Sequence, residues 1–136
     1  SSGQMAALSL ENGKEIWRRD YSATGTPVVA GNAVYVLTSN NQMLGLHRKT
    51  GKVKWVMRLG RASTDSAKKK VRWFGPVLAG GRLLAISTDG FAVSVSPKNG
   101  SEIALRKMAD GASVPPVVAN SMLYFLTDEG ELLAYD

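Results

Sequence analysis

Pro27-Val28-Val29-Ala30-Gly31-Asn32-Ala33-Val34-Tyr35-Val36-Leu37-Thr38 is the stretch that decides the fold. Side chains alternate faces along a strand, so Val34 and Val36 point one way while Tyr35 and Leu37 point the other. Both faces are apolar. The same holds for Leu83 and Ala85 against Leu84 and Ile86, and for Leu123 and Phe125 against Tyr124 and Leu126. In the following run Leu44 and Leu46 oppose Met43 and Gly45, and Val93 and Val95 oppose Ala92 and Ser94. A sandwich sheet with one wet face would alternate apolar with polar. Sheets covered on both faces must stack on one another, as radially arranged blades do.

The block repeats. Pro27-Val28-Val29-Ala30 returns as Pro76-Val77-Leu78-Ala79 and Pro116-Val117-Val118-Ala119, and the polar turns keep step with it. Gly13 to Gly51 and Trp17 to Trp55 are each 38 residues apart, Pro27 to Pro76 and Gly51 to Gly100 each 49, and Pro76 to Pro116 and Gly90 to Gly130 each 40. A period near 40 with four short segments per unit marks a repeat whose units cannot bury their own faces alone. Runs rich in Val, Leu and Tyr between Gly/Asn/Asp turns read as antiparallel hairpins. No segment reads as a useful helix.

The spacing predicts an all-β partial propeller of about three and a half four-stranded blades. Residues 1–20 hold the last two strands of one blade, 26–60 a second blade, 75–108 a third and 115–136 the first three strands of a fourth, about 13 strands in all. A basic inter-blade insertion takes 61–74. Pro27 and Pro76 are placed at strand heads, where no ladder donor is lost. Propellers use four to eight blades, so the chain is expected to be a piece of a protein about twice as long or more. Otherwise its open blade faces would pair with another copy.

The fourth strand of each unit is more polar, as an outer edge should be, but carries one large anchor, Trp17 or Trp55. With Val53, Met57 and Leu59 on its face, Trp55 should pack against the next blade. Burying about 150–250 Å² of aromatic surface at about 25 cal/mol/Å² gives roughly 4–6 kcal/mol as an upper bound. The third unit has Ala104 there, which predicts a weaker junction. Trp73 lies outside this register and reads as a core or loop-packing residue, with an exposed recognition aromatic as the other reading.

The 136 residues carry a net charge of +6 at 44% hydrophobic content, with no cysteine. Disulfides, thiolate metal sites and thiol catalysis are thereby excluded. No apolar run approaches the roughly 18 residues of a membrane-spanning helix. The positive charge is uneven: Arg61, Lys68, Lys69, Lys70 and Arg72 share the insertion.

Leu8-Ser9-Leu10-Glu11-Asn12-Gly13-Lys14-Glu15-Ile16-Trp17 resembles the Ala-Leu-Asp-x-x-(Thr/Asn)-Gly-x-x-x-Trp hallmark of pyrroloquinoline-quinone-like propeller repeats. Leu46-His47-Arg48-Lys49-Thr50-Gly51-Lys52-Val53-Lys54-Trp55 is a second copy, and Val95-Ser96-Pro97-Lys98-Asn99-Gly100 a degenerate third. Within that group, the stretch from Trp73 to Leu84 and the closing Asp128–Tyr135 resemble the C-terminal half of the outer-membrane-protein assembly lipoproteins of the barrel-assembly machinery. The resemblance implies a periplasmic, non-enzymatic scaffold at the inner leaflet of the outer membrane. It would bind the outer-membrane barrel insertase or other assembly-machinery proteins, need no cofactor, and touch the membrane only through an N-terminal lipid. No partner-contact motif of that family matches here, and the insertion from Arg61 to Arg72 departs from its shorter connection.

Two other classes compete. A quinone-dependent dehydrogenase propeller would need a quinone and calcium site. Calcium takes six to eight oxygens, but the acids here (Glu11, Asp89, Asp128, Glu129, Asp20, Glu102) are scattered over turns and strand ends, and His47 stands without a partner in sequence. Nucleic-acid binding would use clustered cations and a stacking aromatic; one short loop is too little, and no nucleic-acid partner is expected. The residues singled out as partner-facing are Arg61, Lys68, Lys69, Lys70, Arg72 and Trp73. Trp17 and Trp55 are structural anchors.

Overall fold

The computed structural model describes residues 4–59 and 71–107 in full, and the backbone alone of the strands at 117–119, 122–126 and 132–135. Among these residues there are thirteen strands and no helix. The first blade contributes β1 (Met5–Leu8) and β2 (Glu15–Arg19). The second is β3 (Ala23–Ala30), β4 (Ala33–Thr38), β5 (Gln42–His47) and β6 (Val53–Arg58). The third is β7 (Trp73–Ala79), β8 (Arg82–Ser87), β9 (Phe91–Val95) and β10 (Glu102–Lys107). The fourth has β11 (Val117–Ala119), β12 (Met122–Leu126) and β13 (Leu132–Tyr135). Each sheet is an antiparallel meander in chain order. Residues rich in β-branched and aromatic side chains suit such a pleated, buried surface.

Both faces of the second blade are covered, as the alternation requires. Val34, Val36, Leu44 and Leu46 pack with Trp17 of the first blade, alongside Met5, Ala7, Tyr21 and Ala23. Tyr35, Leu37 and Met43 pack on the other side with Leu83, Ala85, Val93 and Val95 of the third blade. Tyr35 stacks on Trp55 at 5.9 Å between ring centroids, and burial pushes its phenol pKa up. The Tyr124 side chain lies outside the described residues.

The prolines correct one expectation. β3 begins at Ala23 and β7 at Trp73, so Pro27 and Pro76 stand inside strands rather than at their heads. The register shifts between Thr24 and Val28, and between Phe74 and Val77. Both prolines therefore sit at irregularities of sheet-edge strands, where a missing N–H removes no ladder bond. Pairing resumes before them, with Thr24 opposite Leu37 and Phe74 opposite Ile86. Trp73 and Phe74 thus belong to the third blade's sheet and not to the insertion.

Among the described residues, the side-chain hydrogen bonds between blades run forward. Trp17 Nε1 donates to the Arg48 carbonyl at 2.6 Å, Arg19 Nη2 to that of Thr50 at 2.8 Å and Tyr21 OH to that of Gly51 at 2.8 Å. Three donors from β2 and the connection that follows it thereby occupy three carbonyls of one turn in the second blade. At the next junction Trp55 Nε1 donates to the Pro97 carbonyl at 3.0 Å. Met57 and Leu59 stand where Arg19 and Tyr21 stood, and apolar contact takes over. The glycine of each receiving turn is the seat of the ring. A Cβ on Gly51 would lie 2.6 Å from Trp17 Cδ2, and one on Gly100 2.7 Å from Trp55 Cδ2. Their φ angles, 74° and 75°, are in the left-handed region that glycine enters freely. Trp17 and Trp55 are both buried, each against a turn of the following blade. Val53 is the exception on that face, 43% exposed. The junction beyond Ala104 involves side chains outside the described residues.

Candidate functional site

Opposite the latched turns, the inner strands and the β4–β5 turn frame a cleft of about 600 Å³. Its wall includes Thr24, Thr26, Ser39, Asn41, Arg72 and Phe74. Asn41, at a φ of 62°, organises this end. Its carbonyl accepts the Leu59 N–H at 2.9 Å, and its Nδ2 donates to the Val71 carbonyl at 3.3 Å. Leu59 and Val71 are the two feet of the basic insertion, so one side chain and its own backbone clamp both. The second foot is tied again, because Arg72 N–H donates to Thr88 Oγ1 at 3.1 Å and the Thr88 N–H to the Arg72 carbonyl at 2.9 Å. The adjoining turns are closed by matching side-chain bonds, Thr38 with Asn40 and Ser87 with Asp89.

Arg72 is exposed, its guanidinium 5.6 Å over the Phe74 ring. Such a cation–π contact presents the charge to solvent from a fixed place. Arg61, Lys68, Lys69 and Lys70 lie outside the described residues. Trp73 does not belong with them: it is 6% exposed and sits in the core between the second and third blades. The core reading of Trp73 holds, and the exposed reading is corrected. Two neighbouring strands already supply an apolar socket, and an aromatic at a strand start drops into it.

Trp73 differs from the other two indoles. Its Nε1–H is buried without a hydrogen-bond partner, so it serves as apolar mass only. Replacing Trp55 by Phe strands the Pro97 carbonyl, whereas replacing Trp73 by Phe removes a donor that has no acceptor. Trp73→Phe should therefore be less destabilising than Trp55→Phe by about 1–3 kcal/mol in urea unfolding.

Among the described residues the cleft wall carries one cation, Arg72, and no acid. Among the described residues no group of three or more His, Cys, Asp or Glu could hold a metal. His47 is exposed at the end of β5, at the opposite end of the blade. The described residues fix the two ends of the basic insertion beside a cleft whose wall is mostly apolar. Sequence reasoning missed the Asn41 clamp, whose contacts span 30 residues; its only local signal was an Asn-Asn turn.

A family model described as outer membrane protein assembly factor BamB matches residues 1–136. The protein of that name from Legionella pneumophila (strain Paris) is 30% identical over 130 residues, covering 96% of this chain and 32% of the relative. The chain thus spans about a third of the length of that curated relative. The crystal structure of BamB from Moraxella catarrhalis superposes with a TM-score of 0.73 at 20% identity, over 99% of this chain and 40% of that one. A europium-containing methanol dehydrogenase reaches a TM-score of 0.65 at 23% identity, over 85% of this chain and 23% of that one. At these identities both structures establish the propeller fold alone. With the family match running over the entire sequence, the chain belongs to the BamB family of outer membrane protein assembly factors.

Proposed function

We propose that this chain is part of a non-enzymatic scaffold that binds partner proteins during the assembly and insertion of outer-membrane β-barrel proteins. The partners are the barrel insertase or other members of the assembly machinery, and the place is the periplasm, at the inner leaflet of the outer membrane. Family membership supports the assembly role. The observation that carries the binding role is the doubly clamped insertion: Asn41 and Thr88 hold its feet while Arg72 stays exposed. Clustered cations speed encounter with an acidic partner. Arg61, Lys68, Lys69, Lys70 and Arg72 are the proposed contacts; Trp73 is buried in the core beside Arg72.

Charge reversal tests this. In the full-length protein, Lys68→Glu, Lys69→Glu and Lys70→Glu together should reduce co-purification with the assembly machinery by roughly tenfold or more and make the remainder less sensitive to salt. The far-UV circular dichroism should be unchanged. Undiminished co-purification would remove the loop from the interface. Turnover with added quinone, calcium and an artificial electron acceptor would overturn the non-enzymatic reading.

A further inference from the structure

We infer that the end of the ring built by the β1–β2, β5–β6 and β9–β10 turns is a docking face for an anionic phospholipid surface. The three turns are made alike. The N–H groups of Gly13, Gly51 and Gly100 donate to the carbonyls of Ser9, His47 and Ser96 at 2.8, 2.7 and 2.8 Å. The N–H of the next residue, Lys14, Lys52 or Ser101, is capped by the side chain two positions back, Asn12, Thr50 or Asn99, at 2.9, 3.2 and 3.0 Å. The second and third turns are held again by the indoles of the preceding blades. Arg48 N–H donates to the Asn32 carbonyl at 2.8 Å, which brings the β3–β4 turn to the same end. The equivalent β7–β8 turn adds Arg82.

This end is basic. Lys14, Arg48, Lys49, Lys52, Arg82 and Lys98 are all exposed, and Glu11 is the one acid within the three turns at 9–14, 47–52 and 96–101. Arg18 and Glu15 form an ion pair at 2.7 Å, in which none of the six takes part. Aliphatic side chains stand among the cations. Leu10 at the tip of the first turn is fully exposed, and Val53 and Ile103, at the start of their outer strands, are 43% and 44% exposed.

The composition selects the partner. Protein interfaces concentrate aromatic residues and Arg and are depleted in Lys. Here Lys outnumbers Arg and the three turns contain no aromatic residue. Lys ammonium groups meeting lipid phosphates, with scattered Leu, Val and Ile reaching the acyl boundary, is the chemistry of a membrane-surface contact. A row of rigid, equivalent turn tips fits a plane rather than a pocket. The contact is additional to an N-terminal lipid, and it holds whether or not the ring acts as a scaffold.

Co-sedimentation with vesicles tests it. The full chain should partition onto equimolar phosphatidylglycerol–phosphatidylcholine vesicles at low salt, be released as salt rises, and ignore phosphatidylcholine alone. Lys49→Gln, Lys52→Gln and Lys98→Gln together should weaken partitioning by roughly a hundredfold. The control triple Arg58→Gln, Arg106→Gln and Lys107→Gln removes the same charge from exposed strand residues and should keep most of the binding. Equal losses in the two triples would reduce the effect to net charge and overturn the proposal. So would absence of partitioning at low salt, or an oligoglutamate peptide that binds as tightly as the anionic vesicles.

Discussion

Trp55→Ala is expected to lower stability by about 3–5 kcal/mol, read from the urea midpoint. The ring is 8% exposed, stacks on Tyr35, and fills space between the second and third blades. Its removal leaves a cavity and strands the Pro97 carbonyl that Nε1 now satisfies. Domains of this kind are stable by only about 5–15 kcal/mol, so a loss of this size takes a large share of the whole. Trp55→Phe should fall between, because it keeps most of the apolar mass and forfeits the bond. A midpoint for Trp55→Ala within about 1 kcal/mol of the parent would show that the indole does not lock the blades.

The seat should be as sensitive as the ring. Gly100→Ala is expected to cost about 2–5 kcal/mol, the sum of a left-handed backbone penalty and the overlap of a new methyl with the Trp55 ring. Gly80→Ala separates the two contributions. Its φ is 58°, also left-handed, but a Cβ there meets nothing within 4 Å, so it should cost only about 1–2 kcal/mol. Thermal midpoints of the two variants measure the difference directly. Equal midpoints would mean that the ring yields freely and that the close approach is incidental.

The blade plan was legible because a two-sided apolar strand has few places to go. Val34 and Val36 found the first blade and Tyr35 and Leu37 the third, as alternation demanded. Turn residues marked β4 and β5 to the residue, since Gly31-Asn32 and Asn40-Asn41 punctuate both ends. The inner strands were less legible. Pro27 and Pro76 look like strand starts to a local reading, and only pairing with Leu37 and Ile86 across the sheet reveals the residues before them as strand. Gly51 and Gly100 read as ordinary turn glycines, although their second duty is to lie under an indole from another blade. Within the candidate site, the charge of Arg72 was visible in sequence. The burial of Trp73 and the clamp at Asn41 depend on neighbours in other strands, far from them in the chain, and no local pattern announces them.

The forward-running latch has a temporal side. Each indole is made before the turn that will cover it: Trp17 precedes Arg48 and Gly51, and Trp55 precedes Pro97 and Gly100. During synthesis the newest complete blade therefore waits with one side of the ring uncovered until its successor leaves the ribosome. Closure then proceeds like a zip toward the C-terminus, in keeping with repeat proteins that propagate order from neighbour to neighbour. A nascent chain arrested just short of Gly100 would display Trp55 to solvent, and a few residues more would quench that exposure.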